Sequence, residues 1–402
     1  MNFEDIDINS KLKQKLAESG FINLTAIQER CIPEILNKKD VVGQAETGSG
    51  KTLAFCLPII DKIQQGQGLQ VVVLTPTREL CLQVSKVFSD FGRNLGIKTT
   101  SVFGGVAIGP QIKDIRNSEI VVVTPGRMLD HIGRRTIDLR NVRFLVLDET
   151  DKMLDMGFID DVEKIIRCMP RDRQTLMFSA TVENCIDRLI KRYLRNPVII
   201  KTQSLVDKTK LKQVYYDIYQ KNNKFSILLH LLKNHTNGLA IVFCATRRVS
   251  DIVAKNLRHH GINATAIHGG MTQNKRMRSL ESIREQKTDV LVATDVAARG
   301  LDIKNVTHIY HYDVPKTSID YIHRIGRTAR AGENGKAITL LTEPDHDNFR
   351  RVQNNDELEI EKADIPDFKK VSFFYKSRQN RNFFRKQSCK YDKRGRKNEK
   401  CF

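Results

Sequence analysis

A glycine-rich run, Ala45-Glu46-Thr47-Gly48-Ser49-Gly50-Lys51-Thr52, carries the chemistry that organises this chain of 402 residues. Gly48 and Gly50 have no Cβ, so backbone N–H groups can close around the oxygens of a polyphosphate. Lys51 sets a cation against the outer phosphates, and the Thr52 hydroxyl is a ligand for Mg2+. Further along, Asp148-Glu149-Thr150-Asp151 follows the apolar run Phe144–Leu147. Beside a phosphate loop such acids divide the work: Asp148 holds Mg2+, largely through water, and Glu149 orients and deprotonates the attacking water. Alone, the same acids read equally well as favourable charge at a helix N-terminus. The phosphate loop upstream favours catalysis.

These groups need rigid elements to position them. Asp40–Gly43 reads as a strand before the phosphate loop and Leu53–Cys56 as the opening of a helix after it. Further strands are predicted at Val71–Leu74, Thr100–Phe103, Ile120–Val123, Phe144–Leu147 and Thr175–Phe178. The second half repeats the habit at Ala240–Phe243, Ala264–Ile267, Val290–Val292, His308–Tyr310 and Ala337–Leu341. Most of these runs are continuously apolar, as parallel strands buried on both faces are. Helical patterns such as Glu79–Phe91 and Val249–Arg258 alternate with them, giving right-handed βαβ units and an α/β fold of mostly parallel, doubly wound sheets. The polar stretch Lys201–Gln213 breaks the alternation. The expected organisation is a first domain over 1–202, a linker over 203–213, a second domain over 214–364 and a basic, disordered tail over 365–402. No repeat between the halves is visible in the residues. In open α/β sheets ligands gather beyond the carboxyl ends of the strands, where the unusual residues of this chain fall.

The formal net charge of +20 points to a polyanionic partner such as nucleic acid. About half of the excess lies in the last tenth of the chain: residues 366–402 hold thirteen Lys/Arg against three Asp/Glu. Aromatics stand among those cations, at Phe373, Phe374, Tyr375, Phe383, Phe384 and Tyr391, a mixture suited to stacking on single strands. The eight cysteines are scattered without a C-x-x-C pair, which argues against a zinc site or a disulfide framework and for a reducing, cytoplasmic setting. The N-terminus lacks the apolar core of a signal peptide, and no apolar run is long enough to span a membrane.

Taken together the motifs resemble those of the DEAD-box RNA helicases, superfamily-2 ATPases with two tandem RecA-like domains; the likeness runs from Phe3 to Leu341. The segment FEDIDINSKLKQKLAESGFINLTAIQ resembles the family's Q motif. The resemblance implies that Gln28 reads the adenine edge, with Phe3 and Phe21 supplying apolar and stacking surface. Asp148–Asp151 resembles motif two, with Thr150 where the family has Ala. Ser179-Ala180-Thr181 would bond to Asp151 and, with His323, couple hydrolysis to RNA handling. His323–Arg330 resembles the last motif, with Ala329 for Gly; Arg327 and Arg330 would reach the γ-phosphate as arginine fingers. Asp295 would contact the ribose. An RNA track is implied at Pro76, Thr77, Arg78, Gly104, Gly105, Thr124 and Arg127, and at Thr246 and Thr294, through backbone contacts with little sequence preference. The expected protein binds ATP, Mg2+ and RNA as a monomer. It resembles bacterial RhlE-like members, which implies ribosomal or RNA-decay partners. A superfamily-2 DNA helicase, an ATP-gated RNA clamp that unwinds little, and a transport or signalling P-loop ATPase are the alternatives.

Overall fold

The computed structural model describes residues 1–45, 48–181, 184–202, 210–234, 236, 238–298, 303, 305–329, 334–356 and 358–374, and only the backbone of Asn184, Cys185, Gln273 and Val296. Glu46, Thr47 and Arg330 lie outside the described residues, as do Arg299–Asp302 and the tail from Tyr375.

Seven strands, β1 (Val41–Gln44), β2 (Val71–Leu74), β3 (Thr99–Val102), β4 (Ile120–Val123), β5 (Phe144–Leu147), β6 (Gln174–Ser179) and β7 (Val198–Lys201), make the first sheet in the order β3-β4-β2-β5-β6-β1-β7. Seven more, β8 (Leu211–Asp217), β9 (Leu239–Phe243), β10 (Ala264–Ile267), β11 (Val290–Ala293), β12 (Val306–His311), β13 (Gly335–Leu341) and β14 (Glu361–Lys362), make the second in the order β10-β11-β9-β12-β13-β8-β14. All of these pairings are parallel. Counted from β8, the second order repeats the first strand for strand. The chain is a structural duplication that its residues do not display, as expected of tandem RecA-like domains.

Each sheet is apolar on both faces because helices cover both. In β2, Val71 and Val73 enter one core while Val72 and Leu74 enter the other. In β9, Ala240 and Val242 divide in the same way from Ile241 and Phe243. This period of two explains why the strands read as unbroken apolar runs.

Two boundaries differ from the sequence expectation. Strand β8 begins at Leu211, inside the stretch read as linker, because Leu211 is buried in one core of the second sheet and Val214 and Tyr216 in the other. The chain past Asp364 also stays on the second domain through Phe374. Phe368, Val371 and Phe373 pack against its core, and Phe373 lies 4.8 Å from the Phe225 ring. The buried Asn256 amide receives the Phe374 N–H at 2.9 Å and donates to the Phe374 carbonyl at 3.3 Å. Among the described residues no helix is long and apolar enough to cross a membrane.

Candidate active site

The phosphate loop joins β1 to the helix Lys51–Lys62, and Gly50 caps that helix at φ 92°, a left-handed conformation that favours glycine. A Cβ there would run into the Gln28 amide. Gln28 sits on the helix Ala26–Leu36, is almost fully buried, and ties the loop down: Oε1 accepts from Thr25 N at 2.9 Å and Nε2 donates to the Gly50 carbonyl at 3.0 Å. One donor and one lone pair of the amide remain, the complement of an adenine edge. Phe21, expected to stack, is exposed, and Phe3 is buried, edge-on to Phe21 at 6.4 Å. Phe3 therefore backs the aromatic surface rather than presenting it. Lys51 Nζ donates to the Ala45 carbonyl at 2.7 Å, and Ala45 N donates to Ser179 O at 3.0 Å.

Strand β5 delivers the acids. Asp148 and Glu149 are buried, and Glu149 holds φ 53°, the strained left-handed region that a non-glycine residue keeps only where its surroundings enforce it. Burial pushes the Asp148 carboxyl up to about 7 against the pull of Lys51. Burial works in the same sense on Glu149, but Lys152 first, then Lys51 and Arg327, outweigh it and hold that carboxyl down to about 2. Asp148 Oδ1 is buried without a hydrogen-bond partner among the described residues. A hard, buried, unsatisfied carboxylate oxygen in the same cleft as the Thr52 hydroxyl and the loop glycines fits a Mg2+ site. Thr150, the departure from the family pattern, is accommodated: its hydroxyl bonds to Leu147 O at 3.2 Å and Phe178 O at 3.4 Å, the ends of β5 and β6.

The second domain faces this site. Asp151 Oδ2 accepts from Ala180 N at 3.0 Å and Thr181 N at 3.2 Å, Asp151 N donates to Ser179 Oγ at 3.3 Å, and His323 Nε2 lies 3.8 Å away across the cleft. The four residues expected to couple the motifs are thus in one cluster. Arg327 is buried and lies within electrostatic reach of Glu149. Ala329, two residues on, takes φ 52°, which explains why the family pattern has glycine there. Asp295, expected at the ribose, has another partner: Arg324 donates Nε to Oδ1 at 2.6 Å and Nη2 to Oδ2 at 2.8 Å. This fork anchors the helix Ser318–Ile325 that leads to Arg327.

The residues expected on RNA gather beyond strand ends, and the duplication pairs them. Thr77 caps the helix Arg78–Gly92, accepting from Leu80 N at 3.3 Å; Thr246 caps Arg247–His259, accepting from Val249 N at 3.2 Å. Thr124 N donates to Val102 O at 3.1 Å; its counterpart Thr294 N donates to Ile267 O at 3.3 Å. Arg78 lies against Gly104 and Gly105 as Arg247 lies against Gly269 and Gly270. Arg127 donates to Val106 O at 2.9 Å and Gln111 Oε1 at 3.2 Å, fixing the Gly104-Gly105 turn's neighbour. Pro76 is buried behind this row.

Sequence reasoning missed Arg247, although Thr246-Arg247 after β9 mirrors Thr77-Arg78 after β2. It also missed the ion pair between Arg276 Nε and Glu79 Oε1, 2.6 Å across the cleft, and the pair between Lys152 Nζ and Glu149 Oε1 at 2.5 Å. No signal in one sequence marks a contact between distant domains; the i, i+3 spacing of Glu149 and Lys152 was visible.

Two RecA-like domains face each other here over a phosphate loop, a pair of acids and an arginine from the far side, the architecture of a superfamily-2 nucleic-acid-dependent ATPase. The DEAD/DEAH box helicase family model matches residues 25–189, and the helicase conserved C-terminal domain matches residues 223–332. The chain is 43% identical over 369 residues to the DEAD-box ATP-dependent RNA helicase CshA of Bacillus subtilis, 91% of this chain and 74% of that one. It is 43% identical over 366 residues to the ATP-dependent RNA helicase CshA of Listeria monocytogenes, 90% of this chain and 70% of that one. The chain belongs to the DEAD-box ATP-dependent RNA helicases.

Saccharomyces cerevisiae Dbp5 bound to RNA and ADP BeF3 superposes with a TM-score of 0.83 at 29% identity, covering 90% of this chain and 96% of that one. A DEAD box protein from the hyperthermophile Methanococcus jannaschii is more alike in sequence, 39% identical, yet its TM-score is 0.54 over 90% of this chain and 99% of that one.

Proposed function

We propose that this helicase hydrolyses ATP between the two domains, with Lys51, Thr52, Asp148 and Glu149 on one side and Arg327, joined by Arg330, on the other. The observation that carries the reading is Arg327, buried on the second domain and electrostatically opposed to Glu149 of the first. Gln28 selects adenine with its remaining donor and acceptor, and Phe21 stacks on the base. Glu149 takes the proton of the attacking water, and Lys51 and Arg327 face the negative charge that spreads over the transferring phosphoryl group. Thr52 and Asp148 hold Mg2+, which when bound neutralises phosphate charge. Asp151, Ser179, Thr181 and His323 transmit the state of the phosphate site to the RNA side. Asp295 acts through Arg324, as the anchor of the arginine motif.

RNA lies along the paired row Thr77, Arg78, Gly104, Gly105, Thr124 and Arg127, then Thr246, Arg247, Gly269 and Thr294. Hydroxyls, glycine amides and guanidinium groups suit phosphates and 2′-hydroxyls, so the sequence of the RNA matters little. The two half-tracks align when the domains close, and the domain setting shared with RNA- and nucleotide-bound Dbp5 supports this. Closure on one strand frees its partner, giving local unwinding of duplexes and remodelling of RNA–protein complexes.

Glu149→Gln tests the mechanism. RNA-stimulated phosphate release is expected to fall by roughly 10²–10⁴ with ATP affinity kept. Near-normal turnover in this variant would remove Glu149 as the base.

A further inference from the structure

We propose that Lys152 is a positioning residue for hydrolysis: it holds one oxygen of Glu149 so that the other is aimed at the attacking water. The inference rests on the reading of Glu149 as the base. Lys152 Nζ lies 2.5 Å from Glu149 Oε1, with the two side chains 2% and 5% exposed. Glu149 Oε2 is buried with no hydrogen-bond partner among the described residues. One oxygen is therefore engaged by an ion pair and the other is open.

A lysine is seldom buried so completely unless paired, because desolvating an ammonium is costly. The anions that face Lys152 are Glu149 and Asp151. Asp151 is already engaged by Ala180 N, Thr181 N and the facing His323, which leaves Glu149 as the partner of Lys152. The last torsion of a glutamate is soft, so an unheld carboxylate presents either oxygen over a broad range of angles. Pinning Oε1 removes that freedom. Both residues belong to the first domain, one turn apart at the start of the helix Thr150–Asp155. The base is thus aimed before the domains close, while Arg327 arrives only with closure. A base held by a third group is the arrangement that activated nucleophiles share.

In the step itself the water oxygen bonds to the γ-phosphorus, its proton passes to Glu149 Oε2, and the bridging oxygen leaves with ADP. Lys152 gives and takes no proton; it fixes where Oε2 points. Its loss should therefore lower kcat and leave KM for ATP largely unchanged.

The test is steady-state phosphate release from MgATP with saturating single-stranded RNA, on the full chain carrying Lys152→Met, Lys152→Arg or Lys152→Gln, each also combined with Glu149→Gln. Lys152→Met is expected to lower kcat about tenfold or more with KM within about threefold. Lys152→Arg, which keeps a cationic donor, should restore kcat to within about threefold of the starting protein. In the Glu149→Gln background Lys152→Met should change kcat less than about twofold, since the residue acts through Glu149. An equal loss in both backgrounds would overturn the proposal, and so would a rise in RNA-independent turnover, which would make Lys152 a restraint. If thermal unfolding shows Lys152→Met to be misfolded, Lys152→Gln replaces it, with a smaller kcat loss expected and an unchanged kcat counting against the proposal. Full activity of Glu149→Gln alone is a separate result that would overturn the base assignment beneath it.

Discussion

Glu79 of the first domain and Arg276 of the second meet across the cleft, Oε1 to Nε at 2.6 Å, with side chains 5% and 11% exposed. Glu79 directly follows Arg78 of the proposed RNA track, and Arg276 also donates Nη2 to Ala297 O at 3.0 Å, close after Thr294. The pair therefore ties the two half-tracks together in this domain setting. Removing one partner strands a buried charge, and each domain can escape that cost only by separating. Arg276→Ala is expected to weaken RNA binding about tenfold or more in the presence of a non-hydrolysable ATP analogue, and to leave ATP affinity without RNA unchanged. Fluorescence anisotropy of labelled single-stranded RNA, with and without the analogue, reads this. An equal loss in both conditions would make Arg276 a simple RNA contact.

The buried Asp148 carboxyl makes stability depend on pH. Its ordinary value near 3.9 rises to about 7 on folding. The folded state then binds this proton more tightly than the unfolded state, so protonation stabilises the fold. That stabilisation fades as pH rises from about 4 to about 7 and is absent above. Asp148→Asn removes the titration. The variant should melt several degrees above the starting protein at pH 8 without nucleotide, with the gap closing toward pH 4, while its MgATP hydrolysis is lost. Glu149 runs the other way: held down to about 2, its contribution is present above about pH 4.5 and lost on acidification toward 2. A Tm difference that stays constant from pH 5 to pH 8 would remove burial of Asp148 as the cause.

Much of this was legible in the residues, for reasons that differ from place to place. The core strands were readable because both faces are buried, so Val71–Leu74 and Ile120–Val123 are apolar without interruption. The phosphate loop stood out because one short segment carries its pattern, whereas Asp148–Asp151, which alone fits a helix N-terminus equally well, took its reading from that loop. The edge strand β7, with Ile199 exposed, and the two-residue β14 were not, since an edge keeps only half of the pattern. The duplication was hidden because parallel strands and covering helices demand only apolar residues of suitable size. Glu79–Arg276 and the Asp295–Arg324 fork were hidden because they are tertiary contacts between segments far apart in the chain.

Gln28 offers a test of nucleotide choice. Its amide uses one donor on Gly50 O and one lone pair on Thr25 N to fix the loop, and in the proposed reading the remaining donor and lone pair meet the base. Gln28→Ala loses both. KM for ATP is expected to rise roughly 10–100-fold, as loss of two hydrogen bonds at a buried site implies, and the preference for ATP over GTP should shrink with it. Competition by GTP in the RNA-stimulated ATPase assay measures the preference. A raised KM with the preference intact would confine Gln28 to holding the loop.

Docking of the chain as far as Phe374 decides how a tail truncation must be read. Ending the chain at Asp364 strips Phe368, Val371 and Phe373 from the second domain's core, so thermal stability should fall together with RNA affinity. Ending it at Phe374 keeps that packing and the Asn256 hydrogen bonds, and removes eleven Lys/Arg against two Asp/Glu. That shorter deletion should leave Tm unchanged and weaken RNA binding with a shallower dependence on salt. For every phosphate of a single strand that the tail no longer neutralises, the slope of log K against log salt flattens by about 0.7. Binding titrations from about 50 to about 200 mM KCl measure it. An unchanged slope would show that the cations beyond Phe374 do not meet the RNA phosphates. A fall in Tm for the Phe374 truncation would mean that residues beyond it also support the fold.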